Sequence, residues 1–310
     1  MVRQDFCTSL DGFHGAYYPN PQGSSSGILL ALGNSVDHYL ILSCVRWLHG
    51  LGCNVMALAP EPGDQGWHSY PLEAFGDAID FMKRRHNVRI GVAGGSATGS
   101  LALLAAAHYP DISLTIAMAP SDFVLEGFLR DGLDGAKERP ADGEPMIAFH
   151  GRPLPFLPYA YRHPMYWQKL REEAKAGGDL IASRVMFDES EKLHPLTDEE
   201  KIPVEKIRGT LILSGAEDDC LWNTCKYIRR IHNRLTEKGG QCRCLCLLYQ
   251  YGTHFLFPQG LVRHALSLAS PLLPTVFRSG REHPLECRQS RIDLEQRIFR
   301  EIEAWKKREG

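Results

Sequence analysis

Hydrophobic and polar positions alternate along the chain between two textures. Short apolar runs recur at Ile28-Leu29-Leu30-Ala31-Leu32, Val55-Met56-Ala57-Leu58-Ala59, Val88-Arg89-Ile90-Gly91-Val92-Ala93, Leu114-Thr115-Ile116-Ala117-Met118, Leu211-Ile212-Leu213-Ser214 and Cys244-Leu245-Cys246-Leu247-Leu248. Most are bounded by Gly or Pro, and unbroken runs of this length read as strands buried on both faces. Between them the pattern predicts helices over about 37–50 closing at Gly50 and Gly52, 71–85, 97–108 before Pro110, 222–238 closing at Gly239-Gly240, and 258–269 before Pro271. Alternating strand and helix predicts a mostly parallel, doubly wound sheet with helices on both faces. A ligand site in such a fold lies outside the carboxyl ends of the strands.

Two regions depart from the alternation. Residues 121–205 scatter Pro140, Pro145, Pro153, Pro155, Pro158 and Pro164 among Phe149, Phe156, Tyr159, Tyr161, Tyr166 and Trp167, followed by a charged helical stretch from Met165 to Lys175. An insertion of this length, between the strand near 114–118 and the strand near 211–214, is expected to be a cap or lid within a single domain spanning 1–310. Its aromatics either line a substrate pocket or fasten the cap to the sheet. His150 and His163 are candidates for substrate contact, set against the commoner reading of solvent-facing histidines. Farther on, Ile292, Leu294, Ile298, Ile302 and Trp305 follow a helical period, which predicts an amphipathic helix over 291–307 docked on the body.

Composition narrows the classes of function. With 310 residues, 44% of them hydrophobic, the chain buries enough surface to need neither disulfide nor metal for a core. Lys plus Arg number 35 against 37 Asp plus Glu, and a net charge of −2 gives no footprint for nucleic acid or an anionic membrane. No apolar stretch reaches ~18 residues, and the first residues lack a secretory pattern. Nine scattered cysteines read as reduced thiols, so a cytoplasmic location is expected. Cys242, Cys244 and Cys246 share one face of a strand, where buried thiols are a better reading than a metal site that lacks a fourth ligand. No metal or cofactor is called for.

Directly after the third apolar run stands Gly94-Gly95-Ser96-Ala97-Thr98-Gly99, followed by a Leu/Ala-rich helical stretch. Strand, glycine turn and helix in that order match a nucleophile elbow, with Ser96 pushed out above the sheet. The rival loops fail on spacing. A phosphate loop would place Lys after Gly99, where Ser100 stands, and a dinucleotide fingerprint starting at Gly94 would need glycine at position 96. A serine nucleophile needs a base, and the base an orienting acid, in the chain order serine, acid, histidine. The fifth run leads into Gly215-Ala216-Glu217-Asp218-Asp219 and the sixth into Gly252-Thr253-His254. Ser96, Asp219 and His254 are therefore the candidate triad. Asp218 is the alternative acid, because neighbouring carboxylates cannot both face one imidazole. Position alone makes the backbone N–H of Ala97, joined by that of Gly33 or Asn34, the candidate oxyanion hole, against the plainer reading of an ordinary strand-to-helix turn.

These residues resemble a known family: the catalytic domain shared by acyl-CoA thioesterases and bile acid-CoA:amino acid N-acyltransferases, within the α/β-hydrolase superfamily. The resemblance runs from about Gly27 to Pro258 and is weaker across 121–205. It is carried by Gly27 to Asn34, Pro71-Leu72-Glu73-Ala74-Phe75-Gly76-Asp77-Ala78-Ile79-Asp80-Phe81, the serine elbow, Ile202-Pro203-Val204-Glu205-Lys206-Ile207, Asp218-Asp219-Cys220-Leu221-Trp222-Asn223 and Gly252-Thr253-His254. It implies an α/β-hydrolase fold, with Ser96 as nucleophile, the second acidic residue, Asp219, as triad acid, and His254 as base. The chain is similar to bacterial single-domain relatives, with about 26 residues before the first strand and no N-terminal β-sandwich. It departs from the family elbow at Thr98, with the glycine displaced to Gly99. The resemblance also implies a small-molecule acyl substrate, with a CoA thioester as the candidate that kinship suggests. Relatives that transfer the acyl group to amines carry cysteine as nucleophile, so serine tilts the expectation toward hydrolysis. Dienelactone-hydrolase-like and peptidase branches use the same elbow, and a catalytically silent binding protein is the reading from another class.

Overall fold

In the computed structural model, which describes residues 2–33, 35–62, 67–127, 143–162, 165–265 and 275–308, all six apolar runs are parallel strands of one eight-stranded sheet. They are Ser26–Ala31 (β3), Asn54–Leu58 (β4), Arg89–Gly95 (β6), Ile112–Met118 (β7), Thr210–Ala216 (β10) and Arg243–Tyr249 (β11). Two further strands, Gln4–Phe6 (β1) and Gly15–Tyr18 (β2), pair antiparallel at one edge, giving the order β1-β2-β4-β3-β6-β7-β10-β11. The strand at 26–31 is thus the third, not the first. The chain before it contributes sheet, through segments too short to show a run. This is an α/β-hydrolase fold.

Strict alternation along the strands builds two cores. Leu29 of β3 and Leu211 and Leu213 of β10 face one side, where Glu73–Arg84 (α3), Ala97–His108 (α4) and Thr224–Glu237 (α7) supply Phe75, Leu101, Leu104 and Ile228. Ile28, Leu30, Ile116 and Ile212 face the other, against Tyr39–Gly50 (α2), Gln259–Ala265 (α8) and Pro284–Lys307 (α10). The α10 helix buries Leu294, Ile298, Ile302 and Trp305, and its indole donates to Ser113 Oγ at 2.8 Å. It starts seven residues earlier than its apolar period indicates, because the first two turns are polar and bury only Cys287. The predicted 258–269 helix is α8, and its last four positions lie outside the described residues.

Within 121–205, the described residues carry Ile147–Phe149 (β8), Arg152–Pro153 (β9), Met165–Gly177 (α5) and Arg184–Leu193 (α6). Strands β8 and β9 join Tyr70–Pro71 (β5) in a small second sheet. Tyr159 and Tyr166 stack at 5.9 Å and are buried in the same core as α4, so these two rings fasten the insertion to the body. His150 is exposed beside Glu73, whereas His163 lies outside the described residues. Cys242, Cys244 and Cys246 are all half-buried rather than buried, because β11 is the edge strand; Cys242 just precedes it, and the thiols of Cys244 and Cys246 lie 3.7 Å apart. Among the described residues no cluster of His, Cys, Asp and Glu could hold a metal, and no helix is long and apolar enough to cross a membrane.

Candidate active site

Sheet register brings four loops to one rim. Ala31 pairs with Gly94, Gly95 with Met118, Met118 with Ser214 and Ala216 with Tyr249. The loops that follow β3, β6, β10 and β11 therefore leave the sheet at the same end, carrying Gly33, Ser96, Asp219 and His254.

Between β6 and α4 the chain reverses in a single residue. Ser96 has φ +59° and ψ −133°, a conformation that L-residues hold only when their surroundings over-determine it. A Cβ at Gly94 would stand 2.0 Å from the Thr98 carbonyl oxygen, and one at Gly99 would stand 2.9 Å from that of Met118. Both positions demand glycine for close backbone approach. Ser96 is the N-cap of α4, yet its hydroxyl makes no cap hydrogen bond. A serine there usually turns inward to the helix N–H groups. The positive φ turns this one outward to the rim.

Thr98, the departure from the family elbow, has a job in the turn. Its buried hydroxyl donates to the Gly95 carbonyl at 2.9 Å and accepts the Gly95 N–H at 3.2 Å. Thr98→Val keeps the shape but removes both of these buried hydrogen bonds, so it is expected to lower stability by about 1–3 kcal/mol. Equilibrium urea unfolding measures this. An unchanged midpoint would mean that the turn holds without the hydroxyl.

Ser96 Oγ lies 2.8 Å from His254 Nε2, and His254 Nδ1 lies 2.9 Å from Asp219 Oδ2. The carboxylate and imidazole are 1% and 2% exposed, whereas Ser96 remains half-buried and open to the rim. Asp219 is fully subscribed. Its Oδ1 accepts the N–H groups of Leu221 (2.9 Å) and Trp222 (3.4 Å), and its Oδ2 also accepts the Thr224 hydroxyl. Trp222 meets the imidazole edge-on at 4.9 Å and donates its indole N–H to the Ala119 carbonyl. Asp218, the alternative acid, is turned away: it accepts the N–H groups of Gly252 and Thr253 and the Ser279 hydroxyl. Burial pushes its carboxyl above the ordinary range, opposed by those three donors.

Ala97 opens α4, so its N–H has no carbonyl partner within the helix and lies at the positive end of the helix dipole. Gly33 is at the same level of the sheet with φ +72°, its carbonyl held by the Trp67 indole at 2.9 Å. Asn34 lies outside the described residues. Several site residues escape sequence reading, namely Trp67, Trp222, Phe255 and Phe257. A Cβ at Gly95 would stand 2.7 Å from the Phe257 ring and 3.7 Å from Leu32, so these apolar side chains pack against the residue that precedes Ser96. The sequence offers one signal for them: Phe255 and Phe257 directly follow His254, and Trp222 follows the paired aspartates.

Comparison with known proteins agrees with this architecture. An esterase from Pyrococcus furiosus superposes with a TM-score of 0.50 at 12% identity, covering 98% of this chain and 96% of that one. A structure from Klebsiella pneumoniae assigned as a dienelactone hydrolase gives 0.52 at 12% identity, covering 97% and 98%. An acylaminoacyl peptidase from Pyrococcus horikoshii gives 0.50 at 12% identity, covering 96% of this chain and 40% of that one. At such identity the likeness is one of fold. No curated protein matches the sequence. The family model described as BAAT / Acyl-CoA thioester hydrolase C terminal matches residues 70–259, well over half of the chain and enough to hold the elbow, the paired aspartates and the histidine loop. The chain belongs to the BAAT / acyl-CoA thioester hydrolase C-terminal family.

Proposed function

We propose that this protein is a serine hydrolase of acyl esters or thioesters, with Ser96 as nucleophile, His254 as general base and then acid, and Asp219 as the group that fixes the imidazole. The observation that carries the reading is the unbroken hydrogen-bonded chain from Ser96 Oγ through both ring nitrogens of His254 to Asp219 Oδ2. His254 Nε2 takes the hydroxyl proton as Oγ forms its bond to the acyl carbon. The imidazolium charge is balanced by Asp219. Negative charge on the carbonyl oxygen is met by the N–H of Ala97, with Gly33 or Asn34 as the second donor. Collapse expels the alkoxide or thiolate, which takes the proton from His254. Water then repeats the sequence on the acyl-enzyme and releases the acid. Phe257, half-buried against Gly95 beside the nucleophile, offers an apolar surface to the acyl group. The thioester preference rests on the family, in which acyl-CoA thioesters are the named substrates, and serine rather than cysteine favours water over an amine as acceptor.

The test is a fluorophosphonate probe together with a hydrolysis screen of acyl-CoA thioesters, p-nitrophenyl esters and amides. Stoichiometric labelling at Ser96 and turnover fastest on thioesters are expected. A folded protein that neither labels nor turns over any of the three would be a binding protein, and the hydrolase reading would fall.

A further inference from the structure

Resting on the triad reading, we propose that Asp218 and Ser279 form a positioning pair that holds the His254 loop against the serine and ties it to the cap. Two neighbouring carboxylates divide the work. Asp219 holds the imidazole ring, and Asp218 holds the backbone that delivers the ring.

The contacts are specific. Asp218 Oδ1 accepts Gly252 N–H at 3.0 Å and Thr253 N–H at 2.8 Å, and Asp218 Oδ2 accepts the Ser279 hydroxyl at 2.5 Å. Thr253, the residue before His254, has φ +59°, a conformation disfavoured for a β-branched side chain unless neighbours impose it. The carboxylate of Asp218 is the neighbour that does so. It captures the two N–H groups immediately before the histidine and so sets the direction in which the ring leaves the chain. Nothing in the proton transfer uses Asp218, yet it is half-buried, and a carboxylate drawn out of water is retained only where its hydrogen bonds compensate for lost hydration.

Ser279 extends the anchorage to the insertion. It lies in the short helix Arg278–Glu282 (α9), and the chain around it grips the turn between α5 and α6. Leu180 N–H donates to the Val276 carbonyl at 2.9 Å, Arg278 N–H donates to Asp179 Oδ1 at 2.6 Å, and the Arg281 guanidinium donates to the Gly178 carbonyl. From the other side, the N–H groups of Ser183 and Arg184 both donate to the Cys220 carbonyl at 3.0 Å, and the Arg184 guanidinium donates to the Asp219 carbonyl at 3.0 Å. A displacement of the cap turn is thereby transmitted to the loop that presents the base.

The experiment compares Asp218→Ala, Asp218→Asn, Ser279→Ala and the Ala/Ala double variant with wild type. The readouts are ester hydrolysis, fluorophosphonate inactivation rate, and the downfield proton NMR signal of the His254–Asp219 hydrogen bond. Asp218→Ala is expected to lower kcat on the order of 10²-fold with KM little changed, the cost of misplacing a reacting group by about 1 Å. Asp218→Asn keeps an oxygen for the two N–H groups and recovers most of that loss. Ser279→Ala loses roughly tenfold, about one hydrogen bond to a charged group, and adds nothing in the Asp218→Ala background. The downfield signal broadens or disappears in Asp218→Ala and returns in Asp218→Asn. Unchanged kcat and an unchanged signal in Ser279→Ala, together with a normal signal in Asp218→Ala or failure of that variant to fold, would overturn the proposal. If wild type hydrolyses nothing, the triad reading falls, while the NMR arm still decides whether Asp218 orders the histidine.

Discussion

Replacing Ser96 with alanine is expected to lower kcat/KM by on the order of 10⁴-fold or more, the scale on which a serine nucleophile acting with its base is lost. The hydroxyl caps no helix and its hydrogen bond is to His254 Nε2, so its removal deletes the proposed nucleophile while leaving the helix and the turn intact. Alanine must still adopt φ +59°, which adds about 1–2 kcal/mol of backbone strain at most beyond what serine already bears. The variant should therefore fold, bind substrate with nearly unchanged affinity and refuse the fluorophosphonate probe. Steady-state kinetics on the best ester or thioester, with a binding isotherm for an unreactive analogue, measure both halves. Retention of more than about a tenth of the activity would place the chemistry elsewhere.

The second large effect is expected from Asp219→Asn, and hydrogen-bond geometry dictates its origin. The Oδ1 position accepts two backbone N–H groups, from Leu221 and Trp222, so the amide oxygen of asparagine must occupy it. Its NH₂ then points at His254 Nδ1 and Thr224 Oγ1, where a carboxylate oxygen stood. The threonine hydroxyl can rotate to accept. The imidazole can accept only by moving its proton to Nε2, which then faces Ser96 as a donor and cannot take the serine proton. A loss of about 10⁴-fold in kcat follows from the wrong tautomer, with the fold intact. A fall of less than about tenfold would show that Asp219 does not set the proton's position.

What the chain's letters disclose is uneven, for physical reasons. Five of the six parallel strands stand out because both their faces are buried, the edge strand β11 does so through its unbroken apolar run although it is only half-buried, and the elbow stands out because only glycine tolerates the approach of Gly94 and Gly99 to carbonyl oxygens. The edge strands β1 and β2 are three and four residues long, too short for a period, and β5, β8 and β9 are no longer. Helix α6 was invisible because it buries only Met186, Phe187 and Ser190 among charged neighbours. Asp218 and Asp219 look alike in sequence. What separates them is a backbone turn that sends one carboxylate toward a ring and the other toward amide groups. The tie between Trp67 and Gly33 joins positions 34 residues apart that no local pattern connects.

Helix α10 has a consequence for how this chain comes off the ribosome. Leu294, Ile298, Ile302 and Trp305 complete a hydrophobic layer whose other members, among them Ile28, Leu30, Ile116 and Ile212, are translated far earlier. Until residue 305 has cleared the exit tunnel, the part of that layer which α10 covers, beside α2 and α8, stays bare. A nascent chain stalled short of that point presents aliphatic surface to holdase chaperones and to aggregation.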